Sequence, residues 1–269
     1  MIYRILENIF ILCIISVVFL GVWAFYIEPN MLAVTNYKIK DKNLKGIKIV
    51  LAGDFHVAPN QEKRLQKTVQ KINDQKPDLI LLVGDFVSGH ERKMTLSAEA
   101  IAKNLANLKA EYGVYSVLGN HDWWIDGEEV TQELKKVGIN VLADSNMTVK
   151  INDKVVYIAG VEDLSTRNSD IHSALKGTKD PTILLSHSPD IFPEVPAGVN
   201  LTVAGHLHGG QIRFPFIGFL FIPSKYGERY IYGLFEENDK KMIVTKGVGN
   251  SILPFRFNCK PEIVVIDFE

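Results

Sequence analysis

Apolar residues in this chain fall into two kinds of run. The first is Ile9 to Ile27, IFILCIISVVFLGVWAFYI, nineteen positions without a charge. At the helical rise it reaches about 28 Å, close to the hydrocarbon thickness of a bilayer. It is apolar on every face, Trp23 and Tyr26 suit an interfacial aromatic belt, and no small-residue cleavage site precedes Glu28-Pro29. The run therefore predicts a single-pass membrane helix, with residues 1–30 as the anchor and 31–269 as one catalytic domain. The other runs are short and rich in β-branched residues: 47–52, 79–83, 114–118, 155–161, 182–185, 201–204 and 262–268. Each reads as a strand, and Tyr230–Phe235 with Met242–Lys246 reads as a hairpin closed by Glu236-Glu237-Asn238-Asp239. Leu65, Val69 and Ile72, then Ile101, Leu105 and Leu108, recur at helical intervals, and Pro77 closes the first stretch. Met31 to Lys45 reads as a polar connector or an edge segment.

Three strand–turn–helix units in succession predict parallel strands joined by right-handed crossovers. Ligands of such sheets bind beyond the carboxyl ends of the strands. Those ends carry Asp54-Phe55-His56, Gly84-Asp85 and Gly119-Asn120-His121-Asp122, and later runs are followed by His187 and by Gly205-His206-Leu207-His208. The chain has seven histidines, and only His90 and His172 lie outside these motifs, which assigns those two to the surface. Carboxylate, amide oxygen and imidazole together suit divalent transition metals. Taken singly, each motif has a plain structural explanation. Asp54 and Asp85 could be helix caps, Asn120 a turn residue, and His187 a loop histidine. Their joint order favours one metal site assembled from distant segments.

Composition narrows the picture further. Lys+Arg 30 against Asp+Glu 31 leaves a net charge of -1, so no basic field indicates nucleic acid. The two cysteines, Cys13 in the apolar helix and Cys259 near the end, form no CxxC pair and indicate no thiolate zinc site. Arg4 before the span and Glu28 after it place the N-terminus inside, whereas Lys38, Lys40, Lys42 and Lys45 oppose that orientation. The balance favours a cell-membrane protein with an extracytoplasmic catalytic domain.

The ordered set DFH, GD, GNHD, His187 and GHLH resembles the calcineurin-like metallophosphoesterase superfamily, and GGQIR and PSKYGERY resemble a bacterial branch of membrane-associated phosphodiesterases. The resemblance implies a four-layer α/β/β/α sandwich of two mixed β-sheets flanked by helices, behind the N-terminal transmembrane helix. It also implies two divalent metal ions, with manganese favoured and iron, zinc or cobalt as alternatives. Asp54, His56 and His208 would hold the first ion, Asp85 would bridge, and Asn120, His187 and His206 would complete the second. Hydroxide formed from metal-bound water would attack phosphorus. His121 would act on the substrate phosphate, with Asp122 orienting its ring.

The implied activity is hydrolysis of a phosphodiester or pyrophosphate bond. Phe214 to Pro223, FPFIGFLFIP, is strongly apolar and follows the ligand loop directly. It is read either as a packed loop or as a lip for a lipid-linked substrate. One alternative is a UDP-2,3-diacylglucosamine pyrophosphate hydrolase of lipid A synthesis, which requires a cytoplasmic domain. A second, of another class, is a non-catalytic interaction module, for which ligands should have been lost; none is.

Overall fold

Both faces of the central strands are buried, which explains why they read as unbroken apolar runs rather than alternating ones. A computed structural model describes residues 2–269. Helix α1 (Ile2–Val22) buries none of its side chains and continues through a π-helical turn (Trp23–Ile27) and a 3-10 turn (Glu28–Asn30). It is the one helix among the described residues long and apolar enough to cross a membrane. Its last turns are different: Ala24, Glu28 and Pro29 are buried against the rest of the chain.

Beyond it lie β1 (Ala33–Ile39), β2 (Lys48–Ala52), α2 (Glu62–Asn73), β3 (Leu79–Val83), α3 (Ala98–Leu105) and β4 (Val114–Val117). Then come α4 (Asn120–Ile125), α5 (Gly127–Lys136), β5 (Asn140–Val141), β6 (Ser145–Ile151), β7 (Lys154–Gly160) and α6 (Ile171–Ala174). The last elements are β8 (Thr182–Leu185), β9 (Leu201–Ala204), β10 (Arg213–Phe214), β11 (Gly218–Phe219), β12 (Gly233–Glu237), β13 (Lys240–Val244) and β14 (Glu262–Phe268). The polar stretch after the N-terminal helix is thus an edge strand, β1, paired in parallel with β14. The hairpin of β12 and β13 forms as expected but turns at Asn238-Asp239, both at positive φ, so its strands are shifted toward the turn.

The first sheet runs β1-β14-β2-β3-β4-β5 and the second β12-β13-β9-β8-β7-β6. Within them β2, β3 and β4 are parallel, as are β7, β8, β9 and β13, while β14 against β2 and β6 against β7 are antiparallel. Side chains divide by the period of two. Ile49, Leu51, Leu79, Leu81 and Val83 meet Ile158, Ile183, Leu185, Leu201 and Val203 between the sheets. Val50, Ala52, Ile80 and Leu82 face Leu65, Val69, Ile72, Ile101, Leu105, Val130 and Leu134 of the covering helices. The outer face of the second sheet has a thinner cover, built from α6, the 3-10 turn Pro189–Glu194 and Tyr230. The fold is the four-layer α/β/β/α sandwich that the resemblance implies. It brings the carboxyl ends of both parallel sets to one edge.

Candidate metal centre

Every ligand candidate leaves the end of a parallel strand. Asp54 and His56 follow β2, Asp85 follows β3, Asn120 opens α4 after β4, His187 follows β8, and His206 and His208 follow β9. Five of these residues, Asp54, His56, Asp85, His206 and His208, have φ between 40 and 70°. Left-handed backbone costs an L-residue roughly 1–2 kcal/mol, so the cluster stores strain where side chains must turn sharply toward one point. Close packing holds them there. A Cβ on Gly119 would overlap the Asp85 carboxylate and come within 2.7 Å of the His187 ring, so only glycine lets the loops after β3, β4 and β8 meet.

The side chains converge. His56 Nε2 lies 3.0 Å from His208 Nε2 and 3.3 Å from Asp85 Oδ2. The same Asp85 oxygen lies 3.4 Å from His187 Nε2, which is 3.1 Å from both Asn120 Oδ1 and His206 Nδ1. Asp54 Oδ1 is 3.9 Å from His208 Nε2 and accepts the His206 N–H at 2.9 Å. His187 Nδ1 donates to the Val83 carbonyl at 2.6 Å, which turns the lone pair of its Nε2 inward. Imidazole nitrogens face one another across 3 Å, and the buried His56 Nδ1 has no partner. A mixed N/O donor set of this kind fits divalent transition metals. Donor atoms of Asp54, His56 and His208 lie within 4.8 Å of one another, as do those of Asp85, His187 and His206. Asp85 stands between the two groups.

Burial sets the electrostatics. It raises the Asp54 carboxyl to about 6 against the pull of His187. Burial opposes the charge on Asp85 too, but the charge and hydrogen bond of His187, with help from His56, hold that carboxyl well below the usual range. In the same way burial opposes the charge on His187, and Asp85 overrides it to lift the imidazole to about 10. Burial lowers His206 to about 4, and it holds His208 well below its ordinary value. A cation bound at His187 must therefore displace a proton. Its apparent affinity is expected to rise with pH toward about 10, by up to about tenfold per unit. Calorimetry in buffers of different ionisation enthalpy measures that proton, and release of none at pH 7 would show His187 to be neutral already.

The residue expected to act on substrate and the one expected to orient it part company. His121 is buried beside the cluster, its Nδ1 donating to the Gly89 carbonyl at 2.9 Å and its Nε2 3.5 Å from Ser251 Oγ. Burial lowers its pKa to about 4. It also lies within metal-binding reach of His56 and Asp85. Asp122 does not orient that ring. Its carboxylate accepts the N–H groups of Asp85, Phe86, Val87 and Gly119 at 2.8 to 3.2 Å, clamping two ligand loops together. The orienting group is the Gly89 carbonyl, on a loop that no motif marks. His90 is exposed as expected, yet its ring stacks on Trp124 and stands 5.4 Å from that of His121, at the rim of the site. His172 is exposed.

One further residue escaped motif reading. Arg256 is fully buried, and its guanidinium reaches the carbonyls of Lys246 (2.8 Å), Cys259 (3.1 Å) and His208 (3.4 Å) and the Nδ1 of His208 (3.5 Å). The one signal for it in the sequence is a lone charge inside the apolar stretch 252–259.

A model of the family described as calcineurin-like phosphoesterase matches residues 47–210. An uncharacterized metallophosphoesterase of Bacillus subtilis, YkuE, is 34% identical over 253 residues, which cover 90% of this chain and 87% of that protein. The phosphodiesterase YaeI of Escherichia coli is 29% identical, covering 90% of each chain. A zebrafish (Danio rerio) protein described as a transmembrane protein with metallophosphoesterase domain is 30% identical over 84% of this chain and 54% of its own length.

Proposed function

This chain belongs to the calcineurin-like phosphoesterase family, and from that premise we propose that it hydrolyses a phosphodiester or pyrophosphate bond in a lipid-linked substrate at a dinuclear metal centre. It is a metal-dependent hydrolase of phosphoesters, and its apolar N-terminal helix points to a membrane protein. The single observation that carries the residue assignment is the position of Asp85, one carboxylate oxygen shared between His56 at 3.3 Å and His187 at 3.4 Å.

In this reading Asp54, His56 and His208 would hold one ion, Asn120, His187 and His206 would hold the other, and Asp85 would serve both. Divalent cations held there would supply activation of the attacking water and neutralisation of charge on the phosphoryl oxygens. His121, with Nδ1 tied to Gly89, turns Nε2 toward the same space; there Nε2 would take the proton released by the attacking water and, as the imidazolium, give it to the leaving oxygen as the P–O bond breaks. Asp122 keeps the loops of Asp85 and Asn120 in register and touches no substrate. The lipid-linked substrate is supported by α1 and by the apolar stretch 214–223. Arg4 before the span and Glu28 after it support an extracytoplasmic domain, against Lys38, Lys40, Lys42 and Lys45, and a C-terminal reporter found in the cytoplasm would overturn that reading.

The test is hydrolysis of bis-p-nitrophenyl phosphate with added manganese by the full chain; an inactive wild type overturns the proposal. His121→Gln is expected to lower kcat by about 100- to 1,000-fold while two metal equivalents remain bound. Loss of one equivalent in that variant would instead make His121 a ligand.

A further inference from the structure

Two loops flank the metal centre, and each ends on an exposed apolar residue held in left-handed backbone. The first is the hairpin of β10 and β11, whose tip carries Phe216 (φ 67°), fully exposed, beside Ile217, 82% exposed. The second is the loop through Ile252 (φ 59°), also 82% exposed. Left-handed backbone is unfavourable for a bulky or β-branched residue, and exposure in water is unfavourable for its side chain. Neither cost is offset by a contact within the chain. Leu220 and Phe221 extend the same patch, and from Phe214 to Pro223 there is no charge. Patches of this kind mark an interaction surface.

Position decides which surface. The hairpin and the last turns of α1 line one cleft, where Phe19, Leu20 and Trp23 face Pro215 and Phe219. On the other side the Phe25 ring lies 4.6 Å from that of Phe255, next to the Ile252 loop. Both loops therefore stand at the level where α1 leaves the bilayer. Between them runs a groove of about 260 Å³ lined by His206, His208 and Ser251 together with Leu220, Phe221, Pro223 and Leu253. Its volume lies just under the roughly 300–1,000 Å³ of sites that enclose a whole drug-sized ligand, so it holds a chain rather than a complete amphiphile.

We propose that the two loops seat in the bilayer surface and that the groove takes the acyl chain of an amphiphilic phosphoester drawn from the leaflet in which α1 ends. This rests on the reading of the cluster as a phosphoesterase centre and adds the route by which substrate reaches it. The phosphoester meets the histidines of the groove while its chain remains in an apolar setting, so the lipid need not leave the membrane.

Two measurements on the full chain in phosphatidylcholine nanodiscs test it. First, Phe216→Trp is expected to add emission that brominated acyl chains quench relative to wild type. Added emission that brominated chains leave unchanged overturns the membrane seating. Second, octyl and methyl 4-nitrophenyl phosphate share one leaving group and differ in the chain. Wild type is expected to favour the octyl ester at least about tenfold in kcat/KM, since each buried methylene contributes to binding. Leu220→Ser with Leu253→Ser is expected to bring that ratio toward one, and because the readout is a ratio, a general loss of activity does not imitate it. Equal rates on both esters in wild type, or an unchanged ratio in the variant, overturn the groove. Failure to hydrolyse either ester sinks the metal-centre reading, and the quenching arm still judges the membrane seating.

Discussion

Asp85→Ala is expected to lower kcat/KM on bis-p-nitrophenyl phosphate by at least about a thousandfold and to reduce bound metal from two equivalents to below one. The size follows from what the carboxylate touches. One oxygen stands between His56 and His187, and the other accepts the His121 N–H at 2.8 Å. Removing it takes away the shared ligand and also the charge that keeps His187 up at about 10. Metal stabilisation of a phosphoryl transition state amounts to several kcal/mol, and about 4 kcal/mol is already a thousandfold. Asp85→Asn separates the two effects, since it keeps the shape and one oxygen while discarding the charge. Elemental analysis alongside kinetics decides the matter. Full activity in Asp85→Ala would remove this residue from the centre altogether.

Arg256→Ala is expected to lower the melting temperature by about 8–16 °C. The fully buried guanidinium donates to the carbonyls of Lys246, Cys259 and His208, and its Nε donates to that of Gly249 at 3.1 Å. Truncation strands these acceptors, each costing about 1–3 kcal/mol, so roughly 4 kcal/mol is a moderate total. For a domain of this size about 1 kcal/mol corresponds to about 2–4 °C. Metal affinity should fall as well, by about 10- to 100-fold, because the same guanidinium braces the His208 loop. A melting temperature within 2 °C of wild type would show that water replaces the side chain at little cost.

The same region ties the apolar N-terminal helix to the candidate metal centre. The Arg256 N–H donates to the Ala24 carbonyl at 3.1 Å, and the Glu28 carboxylate accepts from Asn258 and Cys259 N–H and from Trp23 Nε1. A chain begun at residue 31 lacks all of these partners. It is therefore expected to melt below one begun at residue 23, with calorimetry of the two truncations as the check.

Most of the strand framework was legible because strands buried on both faces must be largely apolar: 79–83 is so without interruption, 183–185 and 263–266 are apolar runs, and 201–204 is broken only by the buried Thr202. β6 was not legible, because its Asn146, Thr148 and Lys150 are polar and only one of its faces packs inward. Nor was α4 separable from the GNHD motif that opens it, since six residues carry too little helical period to register. The ligand types were readable because donor chemistry depends on residue identity, and strand ends are recognisable where an apolar run stops.

Sequence by itself determined the candidate donor residues, the strands that deliver them and the apolar helix, since each is encoded by neighbouring residues. Tertiary structure alone decided the rest. It turned five candidate ligand residues through left-handed backbone so that they meet, and it gave Asp122 to backbone amides while handing the His121 ring to Gly89. It placed Arg256 behind His208 from 48 residues away and set the apolar hairpin beside the end of α1. The physical reason is common to all four. A contact between residues distant in the chain depends on how two sheets and their loops pack, and no local pattern of hydrophobic and polar positions records it.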